Sequence, residues 1–471
     1  MRVANEFRDK ITSPDDALKR VLKHAKTIAF GGMGGQSVPK IIPDLIGENG
    51  YSFTDLTLYT GGGTTKSFER KISKAGITRR FYYLSDKESR SAVNTGKIMM
   101  MDYNVSKYGK LLNSQPATKI DVAVFEATSI EKHGVVLSLS VDSTPSLVDA
   151  SKKVIIELNM KKPNLNGLHD VYMAKNGEII PLTKTSQRIG SRYLKIAPKK
   201  IGAIIYSNED EENASSYGSA PLEISEISNN VWSVLRNYIK FRNSMPLQVG
   251  AGSVASSLVD NSPYDKLKIW CEIAPTKWAE YLDSKIAAIS ASALYNIPGD
   301  ENYTRKFLDY YSEFIGKIVL RPNNITNSPE LIARLGVIVI QQAVEIDIFG
   351  AVNVSHIKGD IYNGVGGSID FCSNGKYIVI VLPSTANNGK KSRIVPMSNC
   401  IDVPRYMVDF VVTEIGIADL RWKDPRERAI SIINNCAHPK FRDLLLQYYN
   451  SVEPSHMPYD LNGITKWNNN Q

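Results

Sequence analysis

Short apolar runs rich in β-branched residues, closed by Gly, Asn or Pro and separated by spans of helical period, constrain this chain most. In the first half they are "AKTIAFGG" (25–32), "DLTLYTGGG" (55–63), "KIDVAVFEAT" (119–128) and "KKVIIELNM" (152–160). In the second half they are "KLKIWCE" (266–272), "GKIVLRP" (316–322), "YIVIVLPS" (377–384) and "VDFVVTE" (408–414). Runs apolar on both faces suit parallel strands covered by helices on both sides. The expected fold is α/β, with two open α/β domains built on mainly parallel sheets. A chain of 471 residues exceeds one ordinary core. The linker candidate is "YSNEDEENASSYGSAP" (206–221), acidic, then Ser/Gly/Pro-rich and without periodicity. The expected domains are therefore 1–215 and 216–471. Ligands of open α/β sheets sit at the carboxyl ends of the strands, and the two halves can form that crevice together.

Composition removes several classes. The hydrophobic fraction is 42% and the charged fraction 22%, as in globular proteins. No apolar run approaches the ~20 residues of a membrane span. The stretch "MRVANEFRDKITSPDDALKR" carries acids and no apolar h-region, so the cytoplasm is the expected compartment. The four cysteines (Cys271, Cys372, Cys400, Cys436) form no C-x-x-C, and the six histidines form no H-x-x-x-H. A structural zinc and a disulfide framework are not expected, and no metal site is assigned. The net charge of +9 is dispersed, with no basic run interleaved with aromatics. A polyanionic small ligand matches such a field better than nucleic acid.

The sharpest local signal is "LQVGAGSVASSLV" (247–259). An apolar run enters Gly250-Ala251-Gly252-Ser253-Val254-Ala255, a G-x-G-x-x-A turn, and Glu272 lies 20 residues past Gly252. One reading is a dinucleotide fingerprint, with Glu272 on a ribose. Another is a backbone N–H cradle for some other phosphorylated ligand or a developing oxyanion, with Glu272 doing chemistry. A plain strand-to-helix connection is the third. Ser253 does not fit a nucleophile elbow, because Ala251 and Ala255 stand where glycines are required. Strand alternation puts Cys271 and Glu272 on opposite faces, so only one can face a crevice.

A second Gly cluster, "DIYNGVGGSIDF" (360–371), is too glycine-rich for a strand interior. It is either another set of backbone donors or a loop. "LPSTANNGKKSRIVP" (382–396) is polar and basic, and Glu414 closes an apolar run in "VVTEIGIADLR" (411–421). Two strand-end acids and two Gly turns suit acyl transfer, in which a carboxylate attacks and amides hold the oxyanion.

"VEIDIFGAVN", "NGVGGSIDF", "LPSTANNGKKSRIVP", "VTEIGIADLR" and "CAHPKFRDLL", in this order, resemble the acetyl-CoA hydrolase/transferase family of class I CoA-transferases. "AFGGMGG", "LYTGGGTT" and "VFEATSIEKHGVVL" resemble it more loosely in the first half. "VLRPNNITNSPELIARLG" points to the branch of succinyl-CoA:acetate CoA-transferases and acetyl-CoA hydrolases.

The resemblance implies an active site in the crevice between the halves. It implies Glu272 as nucleophile, the amides of Ala251 and Gly367 as oxyanion donors, Asn327 on the acyl or acceptor carboxylate, and Glu414 as a second active-site acid. Gly250, Gly252, Ser253, Val344, Asn363, Gly364, Gly366, Asn387 and Lys390 are the expected CoA contacts. No permanent cofactor is expected; coenzyme A is substrate and covalent intermediate. The expected partners are acyl-CoA and a small carboxylate, in a homodimer without nucleic acid or membrane.

Two departures stand out. Asn387 occupies a position where this branch carries lysine, so a phosphate contact is expected to move to Lys390 or Lys391. Pro275 and Thr276 stand where the family tends to be acidic and Gly-containing. The expected activity is CoA transfer between short-chain acyl-CoA and carboxylate, and acyl-CoA hydrolysis is its nearest rival. An NAD-dependent oxidoreductase and a non-catalytic CoA-binding protein are the alternatives from other classes.

Overall fold

Two sheets of eight strands organise the chain, and both follow one winding order. The computed structural model describes residues 2–48, 51–81, 83–114, 120–175, 177–210, 222–250, 252–296, 301–456, 458–460 and 467. The first sheet holds β1 (Thr27–Phe30), β2 (Leu56–Thr60), β3 (Ile77–Phe81), β4 (Met99–Met101), β5 (Ile120–Glu131), β6 (Gly134–Leu137), β7 (Ser151–Asn159) and β8 (Ile201–Ser207). Its order is β4-β3-β2-β1-β5-β7-β8, all parallel, with β6 antiparallel on β5.

The second sheet holds β9 (Pro246–Val249), β10 (Leu267–Trp270), β11 (Ile286–Ala291), β12 (Ile318–Leu320), β13 (Ile338–Gln342), β14 (Tyr377–Val381), β15 (Phe410–Val412) and β16 (Ile417–Asp419). Its order is β12-β11-β10-β9-β13-β14-β15-β16, with only β16 antiparallel. In each sheet the chain winds outward from the first strand, then returns to that strand's other side. The switch points lie between β1 and β5 and between β9 and β13, where such sheets open a crevice at their carboxyl ends. Gly31–Gly34 follow β1, and Gly250 follows β9.

One apolar core runs through both halves, joining Ala123 and Val154 to Leu247, Ile289 and Val412. Polar links reinforce the junction. The Val141 N–H donates to the Ser292 carbonyl at 2.8 Å, and the Asn323 N–H to the Asp142 carbonyl at 3.0 Å. The Arg321 guanidinium pairs with Asp170, both buried, and its Nε donates to Ser290 at 2.7 Å.

The eight quoted strand runs all contain strands, but others were hidden. β3, β4, β8, β11 and β13 lie outside those runs; in "GVIVIQQ" residues 337–340 are a short buried apolar run, which periodicity alone cannot tell from buried helix. Tyr206 and Ser207, at the start of the expected linker, are the last residues of β8. The domain division at 215/216 lies outside the described residues, within 211–221. Among the described residues, no helix is long and apolar enough to cross a membrane.

Candidate active site

The carboxyl ends of both sheets face one cavity of about 620 Å³. The first half contributes Met33, Gly34, Gly63, Thr64, Tyr83 and Arg90; the second contributes the ends of β9, β13 and β14 and the 362–368 segment. Of the residues expected at the site, Gly250, Gly252, Ser253, Glu272, Val344, Asn363, Gly364, Gly366 and Gly367 line it.

Glu272 sits just past β10. Its carbonyl accepts from the Ser292 N–H at 2.8 Å and the Ala293 N–H at 3.2 Å, which fixes its backbone against β11. The side chain is half-buried and turned into the cavity, whereas Cys271 lies fully buried in the core. Asn327, also fully buried, donates from Nδ2 to Glu272 Oε2 at 2.9 Å. The charges acting on Glu272, Asp370 and Asp142, are both negative. Burial first, and then these two acids, push its pKa up to about 7 against the Asn327 hydrogen bond. A carboxylate left without a cation in such surroundings is unusually basic, as a nucleophilic or acid–base carboxylate needs to be.

One Gly turn closes on this carboxylate, and Gly250 and Gly252 line the same cavity. A Cβ at Gly367 would overlap Glu272 Oε2 and Asn327 Nδ2. Gly367 has an ordinary φ of −90°, so the site demands the missing side chain and not a left-handed backbone. In the other turn Gly252 has φ +134°, and a Cβ there would meet Gln342 Oε1 at 2.9 Å. The Gly250 N–H donates to the Ile340 carbonyl at 3.0 Å, and the Gly252 N–H to the Tyr295 hydroxyl at 3.3 Å. Ala251, the expected donor between them, lies outside the described residues. The turn leads into the helix Ser253–Asp260.

Other expected residues stand back from the cavity. The Glu414 carboxylate accepts from the Ser384 N–H at 2.8 Å and from the Ser384 hydroxyl, so it ties down the 382–386 loop. Asn387 and Lys390 are exposed in the turn joining Thr385–Ala386 to Lys391–Ser392. Asn387 has φ +53°, Asn388 +55° and Gly389 +77°. Asn tolerates that left-handed region better than lysine does. Lys391 faces Lys358, whose hydrogen-bond contact and charge lower the Lys391 pKa.

Two cavity cations were not singled out from the sequence. Arg90 stacks on Tyr362 at 5.0 Å and donates to its carbonyl at 3.3 Å. Arg393 has a buried Nε with no hydrogen-bond partner among the described residues, and burial lowers its pKa. Arg393 lay within the quoted basic stretch; Arg90 carried no local signal. Among the described residues no group of three or more His, Cys, Asp or Glu is placed to hold a metal ion.

Residues 1–206 match the acetyl-CoA hydrolase/transferase N-terminal domain, and residues 304–449 the C-terminal domain. The succinyl-CoA:acetate CoA-transferase of Clostridium kluyveri is 31% identical, covering 99% of this chain and 90% of that protein. The acetyl-CoA hydrolase of Schizosaccharomyces pombe is also 31% identical, covering 96% of this chain and 92% of that protein. In fold, RipA from Yersinia pestis superposes with a TM-score of 0.73 at 21% identity, covering 95% of this chain and 98% of that one.

Proposed function

The chain belongs to the acetyl-CoA hydrolase/transferase family, and from that premise we propose that it is an acyl-CoA:carboxylate CoA-transferase working through Glu272. The proposed substrates are a short-chain acyl-CoA (acetyl-, propionyl- or succinyl-CoA) and a carboxylate such as acetate. The observation that carries the reading is Glu272 itself: a cavity carboxylate with two negative neighbours, held by one amide and closed over by a Gly turn. A ribose-binding acid of an oxidoreductase needs neither the second Gly turn nor the amide.

In the proposed reaction the Glu272 carboxylate attacks the thioester carbonyl and CoA thiolate leaves, giving an acyl-glutamyl anhydride. The thiolate then attacks the glutamyl carbonyl, releasing the first acid and leaving a glutamyl-CoA thioester. An acceptor carboxylate repeats the two steps in reverse and restores Glu272. As the family resemblance implies, the amides of Ala251 and Gly367 are the proposed oxyanion donors. Asn327 already donates to Glu272, and it holds the carboxyl oxygens in play at each stage. Arg90 and Arg393 are the proposed partners of CoA's anionic groups. Glu414 acts through Ser384 as a positioning residue. Contacts remote from the thioester supply binding energy to the strained steps. We place the enzyme in the cytoplasm as a homodimer of two-domain subunits divided near 215/216.

Hydrolysis of acetyl-CoA is the second reading, favoured by the name of the Schizosaccharomyces pombe relative. It shares every step up to the glutamyl-CoA thioester, which water then resolves. Free-thiol release with and without acetate, alongside appearance of the acceptor's CoA ester, separates the two. Transfer requires acceptor-CoA formation well above the rate of thiol release. Rapid thiol release indifferent to every carboxylate tried contradicts transfer and makes the enzyme a hydrolase.

A further inference from the structure

The nucleophile's amide partner serves two carboxylates. Asn327 Nδ2 donates to Glu272 Oε2 at 2.9 Å and approaches Asp370 Oδ2 at 3.4 Å. Asn327 Oδ1 accepts from the Thr326 hydroxyl at 2.9 Å, which fixes which end of the amide faces the acids. Asp370 is only 1% exposed and has no ion-pair partner among the described residues, so its burial demands hydrogen-bond donors. They come from the other half of the molecule. Oδ1 accepts from the Ser106 hydroxyl at 2.7 Å and from Asn104 Nδ2, and Oδ2 from the Ser106 N–H at 3.1 Å. Between those two residues the Val105 N–H donates to the Gly366 carbonyl at 3.3 Å. Asp370 thus links three things: the amide that holds Glu272, the turn that ends in Gly367, and the first-half wall of the cavity.

We propose that Asp370 is a positioning residue for Glu272: it engages the second N–H of Asn327, so that the amide points its first N–H at the Glu272 carboxyl in one fixed direction. The first-half donors hold Asp370 in turn, so joining the two halves and aiming the nucleophile are one event. Its negative charge acts as well. The charged groups facing Glu272 are Asp370, from the helix Ser368–Cys372, and Asp142, from the loop after β6; both raise the Glu272 pKa beyond what burial does alone. Asp142 is itself buried and held by Ser140 and Thr144. Loss of Asp370 therefore costs both alignment and basicity while leaving the Arg90 and Arg393 side of the cavity intact.

This inference rests on the reading of Glu272 as nucleophile, but its test includes a measurement that needs no turnover. The carboxyl stretch of Glu272 is followed by infrared difference spectroscopy from about pH 5 to 9, with Glu272→Gln identifying the band. Wild type and Asp370→Asn are compared, and kcat and KM are measured in parallel with acetyl-CoA and a carboxylate acceptor. Asp370→Asn is expected to lower the titration midpoint by roughly one pH unit. It should reduce kcat by roughly 10- to 100-fold, with the acetyl-CoA KM within about threefold of wild type. An unmoved midpoint, or unmoved turnover in folded protein, overturns the proposal. Ser106→Ala keeps the charge and removes one donor: the expected result is a several-fold loss of kcat without a lowered midpoint. If Asp370→Asn fails to fold, wild-type kcat in Ser106→Ala overturns the proposal instead. A wild type that turns over no acyl-CoA contradicts the functional reading, and the midpoint shift still decides the role of Asp370.

Discussion

Gly367 and Glu272 share one space: the Cα of the glycine lies where any Cβ would overlap the carboxylate Oε2. The glycine is required by this contact, since its φ of −90° suits any residue. Its amide and the nucleophile can then face the same reacting carbon.

Gly367→Ala displaces Glu272 or Asn327 without touching the cations of the cavity. Turnover is expected to fall by roughly a hundredfold, because a misplacement of about 1 Å at a reacting group costs that much. Acyl-CoA affinity, measured by calorimetry on the same variant, should change by less than about threefold. Parallel loss of both would make the "GVGG" turn a binding loop only.

Glu272→Gln tests the cost of the buried charge. In the folded protein the Glu272 pKa is raised from 4.5 to about 7. The unfolded chain therefore releases this proton at lower pH than the folded one, and the destabilisation grows as pH rises from about 4.5 to about 7. Denaturant melts should find Glu272→Gln close to wild type at pH 4.5 and more stable by roughly 1–3 kcal/mol at pH 8. A constant difference across that range would mean that Glu272 is not perturbed.

Arg393→Gln tests the anion side. The buried Nε has no hydrogen-bond partner among the described residues and is the proposed ligand contact. Removing a charge-assisted hydrogen bond should raise the acyl-CoA KM by roughly tenfold, with kcat within a few-fold. Rising salt should weaken wild type more than the variant. Equal salt dependence would move the phosphate contact elsewhere, with Lys358 and Lys391 the next candidates.

Much of this site was legible because its parts lie in dense, ordered local motifs. Glu272 closes an apolar run, and Gly367 sits in a glycine cluster that no strand interior tolerates. The common winding of the two sheets was only half legible, because β11 and β13 are short buried runs that local pattern does not separate from helix. Asp370 stood inside the quoted "GVGGSIDF", yet nothing local marked it: its partner Ser106 is 264 residues away. Glu414 is expected as a second active-site acid from its strand end and from the family resemblance; its hydrogen bonds go to Ser384, next to Pro383 of the cavity wall. Asn387 stands where the branch carries lysine, with the phosphate contact expected to move to Lys390 or Lys391, and the structure places it in an exposed left-handed turn. Local sequence carries strand ends and turns; it does not carry which strand ends the fold brings together.

In the proposed reaction the Glu272 carboxylate becomes covalently joined to CoA. The direct measurement is peptide mass spectrometry after incubation with acetyl-CoA and no acceptor, with brief quenching at low pH. The expected result is the mass of CoA, as a thioester, on the peptide bearing Glu272, absent in Glu272→Ala and discharged when acetate is added before the quench. An unmodified Glu272 peptide from an enzyme that turns over acetyl-CoA at full rate, or full turnover by Glu272→Ala, would contradict it.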